Sequence, residues 1–289
     1  MFFMKIPKIL ISLVSIFSLG FASFSFASVN PERMSETAKE NIPAHAIEKA
    51  PGLYYLGEAV DPGSGEMVEG YMIVRPHKES ARPAGTGKNK PSGDTSPTAS
   101  CYSFMASGAK WKTVEPWVVN PANGFGISNA SVFSILDKSI AKWEDATDGK
   151  IGNGGSDVIG VGSATGSALV ADEVSPDNSN EVYFGDLKPG TIGVTIVWGV
   201  FGGPVKNRRL VEWDQVYNNY YNWSDAAEGD INAMDFESIA THELGHTMGL
   251  ADLYNSDCSA MTMYGYGSEG EINARTLEDG DINGMNSLY

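Results

Sequence analysis

Between residues 235 and 249 the apolar positions Phe236, Ala240, Leu244 and Met248 fall four apart. That spacing sets them on one buried stripe of a helix. Asp235 is placed to cap its first turn, and Gly249 to end it in the left-handed conformation. Val132, Leu136, Ile140 and Trp143 repeat the helical spacing earlier, with Ser128 or Ser131 as the cap. A third helix is expected over 277–289, with the acids Asp279 and Asp281 at its start and Ile282, Met285 and Leu288 facing inward. Elsewhere the apolar runs are shorter. Residues 113–120, 191–199 and 208–218 read as strands, and 149–190, rich in Gly, Ser, Asp and Asn, as loops joining short strands. Residues 52–76 hold two strand-like runs about a Pro/Gly/Ser turn, the pattern of a hairpin. From Cys101 onward these elements make one α/β domain: a mixed twisted sheet, the helix over 235–249, a second packing helix and a C-terminal helix.

The start of the chain has a different pattern. Lys5 and Lys8 precede an apolar run from Ile9 that ends at Ser25-Phe26-Ala27. This is the order of a secretory signal peptide, residues 1–27, and makes the rest an exported chain, extracellular or periplasmic. Residues 28–80 then read as a propeptide or a small N-terminal segment. Residues 81–100, dominated by Pro, Gly, Ser and Thr, read as a linker to a domain over 101–289.

Charge and cysteine count narrow the function. The formal net charge is −16, and most of the excess lies beyond the linker. Such a surface repels nucleic acid and anionic lipid. It suits calcium, but no calcium site is assigned. Cys101 and Cys258 are the only cysteines, so an exported chain allows one intramolecular disulfide between them. "DGDING" at 279–284 matches the start of a calcium loop, yet its twelfth position falls past residue 289. Asp279 and Asp281 are therefore read as helix-start residues.

The chemistry lies in "HELGHTMGLAD", residues 242–252. On a helix, His242 and His246 stand one turn apart and aim at one point. Glu243 lies beside them, able to reach a water there without ligating a metal. A catalytic zinc takes three protein ligands, and no histidine follows His246. Three residues past the helix-ending Gly249 stands Asp252, whose carboxylate can bind zinc or merely cap a turn. Nothing else in the domain supplies the missing ligand at motif spacing.

His242, Glu243, His246, Gly249 and Asp252, in the order HExxHxxGxxD, resemble the metzincin zinc peptidases, and the aspartate variant resembles the snapalysin type. "CSAMTMYGYG" resembles a Met-turn and "RTLEDGDINGMNSLY" the closing helix of matrixin catalytic domains. The resemblance covers about residues 100–289 and is strongest over 236–289. It implies an α+β zincin fold, with Met263 as the apolar floor under the metal and Met261 as runner-up. It also implies that a protein or peptide substrate lies extended along the edge strand before the active-site helix, within about 192–217. The expected activity is that of a secreted zinc-dependent endopeptidase, made as a precursor and acting as a monomer. Zn2+ held by His242, His246 and Asp252 would activate a water, with Glu243 as general base. Tyr264 or Tyr266 could add a hydrogen bond to the oxyanion. The alternative is a non-catalytic secreted binding protein on a zincin scaffold.

Overall fold

The computed structural model describes residues 42–78 and 101–289. The signal segment, residues 28–41 and the 81–100 linker lie outside the described residues. The strands are β1 (Ile47–Ala50), β2 (Leu53–Val60), β3 (Met67–Pro76), β4 (Glu115–Asn120), β5 (Ile159–Ala164), β6 (Asn180–Gly185), β7 (Thr191–Val200) and β8 (Arg209–Asn218). They form one sheet in the order β1-β2-β3-β7-β8-β6-β4-β5. Strands β5, β4, β6 and β8 run parallel to one another, and β7 lies antiparallel to β8. Three helices accompany the sheet: α1 (Asn129–Asp145), α2 (Phe236–Thr247) and α3 (Asp279–Leu288). None of the described helices is long and apolar enough to cross a membrane.

The expected elements are present, and the local chemistry explains their ends. Ser128 accepts the Ser131 N–H at the start of α1, and Asp235 accepts the Ser238 N–H at the start of α2. Gly249, at φ 103°, ends the helical run; a Cβ there would lie 2.8 Å from the Ala109 carbonyl oxygen. The apolar stripes of α1 and α2 meet the sheet in the main core, around Trp143, Trp213, Phe236 and Leu244. Within that core the Trp143 indole donates to the Thr241 carbonyl at 2.7 Å, and the Ser139 and Thr241 hydroxyls pair at 2.9 Å. These bonds tie α1 to α2. In α3, Met285 and Leu288 are buried as expected, but the third inward position belongs to Asp281, with Ile282 half-buried.

The expected hairpin is present: β2 and β3 pair antiparallel, and with β1 they extend the sheet of the rest of the domain. One expectation about the sheet needs correction, because β7 is not an open edge. β3 pairs antiparallel with it along most of its length, from Glu69 opposite Gly199 to Pro76 opposite Thr191. The physical reason is burial: β7 is buried at nine of its ten residues, which leaves an apolar outer face for Leu56, Val68, Met72 and Val74 to cover.

Candidate active site

Helix α2 places His242, Glu243 and His246 beneath β7, all of them 0% exposed. The chain after Gly249 is pinned on both sides of Asp252. Ala251 N–H donates to the Ser103 carbonyl, and Leu253 N–H to the Met263 carbonyl. Asp252 Oδ1 consequently lies 3.1 Å from His242 Nε2 and 3.5 Å from His246 Nε2.

His242 Nδ1 stands 2.6 Å from the Thr262 carbonyl oxygen and His246 Nδ1 3.0 Å from that of Leu250. A carbonyl only accepts, so each Nδ1 carries a proton and each Nε2 is turned toward Asp252. Burial, aided by the Arg75 guanidinium, pulls His242 down to about 3, so its ring is neutral at ordinary pH. Burial alone would raise the Asp252 carboxyl, but the two imidazoles and Arg75 outweigh it and hold the group at about 2. His242 Nε2, His246 Nε2 and Asp252 Oδ1 face one another, buried without a hydrogen-bond partner. A cation satisfies such a set. Two imidazole nitrogens and one carboxylate oxygen, all within 4.8 Å of one another, match the donor chemistry that zinc accepts.

Glu243 points to the same place. Its Oε2 accepts the Thr195 hydroxyl at 2.6 Å, while Oε1 is buried and unpartnered. A Cβ on Gly193 would lie 3.6 Å from Oε1, in ordinary contact, so β7 runs directly beside the carboxyl. Burial raises the Glu243 pKa, and the charges of His246 and Arg75 and the Thr195 hydrogen bond only partly offset it.

Met263 lies directly under α2. A Cβ on Gly245, which stands between the two histidines, would come within 2.2 Å of the Met263 sulfur. The Met261 sulfur lies instead against Gly280 of α3. Asp281 fixes this turn by accepting the Thr262 and Met263 N–H groups at 2.9 and 3.2 Å. Cys101 and Cys258 are joined, with Cα atoms 5.4 Å apart and a sequence separation of 157. Tyr264 and Tyr266 line a cavity of about 230 Å³ beside the first turn of α2; neither bonds to the cluster.

Sequence reasoning missed four residues around the centre: Thr195 on Glu243, Asp281 on the Met-turn, Arg75 and Tyr254. The Tyr254 hydroxyl lies 3.0 Å from Asp252 Oδ2 and equally 3.0 Å from the Pro51 carbonyl oxygen. Asp281 had a visible signal, because it is an acid in register with the apolar stripe of α3. The others come from strands or turns whose pairing no local pattern announces.

A second group of metal-capable side chains, Asp172, Glu212 and Asp214, lies near β8, also within 4.8 Å of one another. Burial and the neighbouring Asp214 and Asp172 push Glu212 up to about 9; burial, with Asp172 nearby, raises Asp214, and burial, with Asp177 nearby, raises Asp172.

Residues 170–289 match the family model described as matrixin, which supports a metzincin-type, matrixin-like domain over that stretch. No curated protein matches the chain.

Proposed function

We propose that this chain is a secreted, zinc-dependent endopeptidase. The observation that carries the reading is the convergence of His242 Nε2, His246 Nε2 and Asp252 Oδ1, buried and unpartnered. These three would hold the zinc, and the matrixin match over residues 170–289 supports that metal. When bound, zinc polarises a water and the scissile carbonyl.

The remaining steps belong to the chain's own groups. Glu243 keeps Oε2 on the Thr195 hydroxyl, which leaves Oε1 to take the proton of the attacking water. Its raised pKa suits it to pass that proton to the departing amine. The Nδ1 bonds to the Thr262 and Leu250 carbonyls hold both imidazoles in one orientation and one tautomer. Met263 and Gly245 fill the space below the two histidines, so the ligand spacing cannot collapse. The substrate is a protein or peptide in extended form, and the enzyme acts as a monomer outside the cytoplasm.

Metal analysis combined with peptide hydrolysis tests this reading. We expect one zinc per chain and hydrolysis of a casein or gelatin substrate that stops on chelation and returns with added zinc. A chain that holds zinc but hydrolyses no peptide in any processed form would favour a binding protein on the same scaffold.

A further inference from the structure

Asp252 differs from the two histidines in having two oxygens to offer. Oδ1 lies 3.1 Å from His242 Nε2 and has no hydrogen-bond partner. Oδ2 meets the Tyr254 hydroxyl at 3.0 Å, and the same hydroxyl lies 3.0 Å from the Pro51 carbonyl oxygen. A phenol has one proton for these two acceptors. Charge and burial decide between them. A hydrogen bond to an ionised carboxylate is about twice as strong as one to a neutral carbonyl. The Asp252 side chain is 6% exposed, whereas Pro51 lies at the surface, where water can serve its carbonyl. The proton therefore goes to Asp252. The ring that carries it is held in place. Leu253 N–H donates to the Met263 carbonyl at 2.8 Å, and Gly265 N–H to the Leu253 carbonyl at 3.0 Å, which ties this stretch to the Met-turn. The ring fills the space a side chain at 265 would need: a Cβ on Gly265 would come within 2.6 Å of Tyr254 Cε1 and 3.2 Å of Asp252 Cβ. Tyr266 packs edge-on against the same ring, with centroids 5.3 Å apart.

We propose that Tyr254 is a positioning residue for the third metal ligand: its hydroxyl occupies Oδ2, so that Asp252 offers the metal Oδ1 alone. This role rests on the zinc centre read above, though not on the reaction performed there. Each candidate ligand is then held at its far end by the stretch that follows α2: His246 by the Leu250 carbonyl, Asp252 by the Tyr254 hydroxyl and His242 by the Thr262 carbonyl. Two consequences follow for the metal. A carboxylate that binds through both oxygens takes up room that a catalytic zinc leaves open for water, and the bond to Oδ2 prevents this. An aspartate also brings a full negative charge that a neutral imidazole does not, which weakens the metal's pull on a bound water. A hydrogen bond donated to Oδ2 draws part of that charge away from Oδ1. Tyr254 thus makes an aspartate behave more like the histidine it stands in for.

The test uses the whole chain and Tyr254→Phe, which keeps the ring and removes only the hydroxyl. Zinc affinity is measured by competition with a chromophoric chelator, and X-ray absorption is recorded on the zinc-loaded proteins; neither readout depends on activity. Tyr254→Phe should raise the zinc dissociation constant about ten- to a hundred-fold, the usual effect of losing a group that orients a ligand. Its spectrum should show a wider spread of zinc–oxygen distances than wild type, because both carboxylate oxygens come within reach of the metal. The same substitution is then made in an Asp252→His background. No second carboxylate oxygen exists there, so Tyr254→Phe should leave zinc affinity unchanged. Equal affinity and an unaltered spectrum in Tyr254→Phe alone would overturn the positioning role and leave the zinc centre standing. A loss of affinity just as large in the Asp252→His background would also overturn it, because the hydroxyl would then act on the fold and not on Oδ2. A wild-type chain that holds no zinc at His242, His246 and Asp252 would overturn the centre itself, and this role with it.

Discussion

Among the described residues two clusters of three metal-capable side chains meet, and their surroundings differ. In the first, backbone carbonyls hold the Nδ1 atoms of His242 and His246 and turn both Nε2 atoms toward Asp252, whose carboxyl is held low. Asp172, Glu212 and Asp214 are as close together, yet each has its pKa raised. Part of their acceptor capacity is also spent, since Asp214 accepts the Asp172 and Glu181 N–H groups. The Asp252 carboxyl is held low, whereas Glu212 is pushed up and keeps its proton at neutral pH. Counting ligating side chains does not separate them. The groups one bond further out do.

Four substitutions break or sharpen that contrast. Glu243→Gln keeps all three acceptors and removes the base. Turnover should fall by about 10²–10⁴-fold with zinc content unchanged, as single-turnover kinetics and metal analysis would show. Near-normal turnover would remove Glu243 from the mechanism.

In the acidic cluster the sign is set by a folded-state pKa above the unfolded one. The folded state binds the Glu212 proton more tightly, so this group's contribution to stability is full below about 4.3 and is lost as pH rises toward about 9. Denaturant unfolding at several pH values should show stability falling across that window, with a flatter curve in Glu212→Gln. A variant as steep as wild type would mean that the proton is held elsewhere.

Gly245→Ala tests the floor of the histidine cluster. A methyl group 2.2 Å from the Met263 sulfur and 2.8 Å from the Trp143 ring overpacks a full core, at a cost of about 1–3 kcal/mol. Thermal unfolding should read that loss, together with weaker zinc retention. Thr195→Val should have the smallest effect. It removes a hydrogen bond that lowers the Glu243 pKa, so the acid limb of kcat/KM should move to higher pH by less than about one unit. An unmoved limb would show that another group sets it.

The contrast also separates what the sequence disclosed from what it did not. Helices α1 and α2 and their caps were legible, because helical spacing and capping are local. The approach of Asp252 was legible for the same reason: a helix end, a glycine and three residues fix a short path. The pairing of β3 with β7 was not, since it joins segments more than a hundred positions apart and strand alternation does not name a partner. One sign was present. "TIGVTIVWGV" is a nearly unbroken apolar run, which fits a strand covered on both faces better than an open edge. Arg75 and Tyr254 acquire their places only through that pairing and the turn beside it. Thr195 needed the register of β7 over α2. The acidic cluster unites a loop residue with two positions of β8, and only the fold brings them together.

Zinc titration followed by X-ray absorption tests the central claim most directly. One equivalent should bind, with two nitrogen neighbours at about 2.0–2.1 Å and an oxygen at about 2.0–2.2 Å. Asp252→Ala should lose that signal, whereas Glu212→Gln should keep it. A sulfur neighbour near 2.3 Å, or first-equivalent binding that survives Asp252→Ala and disappears in Glu212→Gln, would contradict the account.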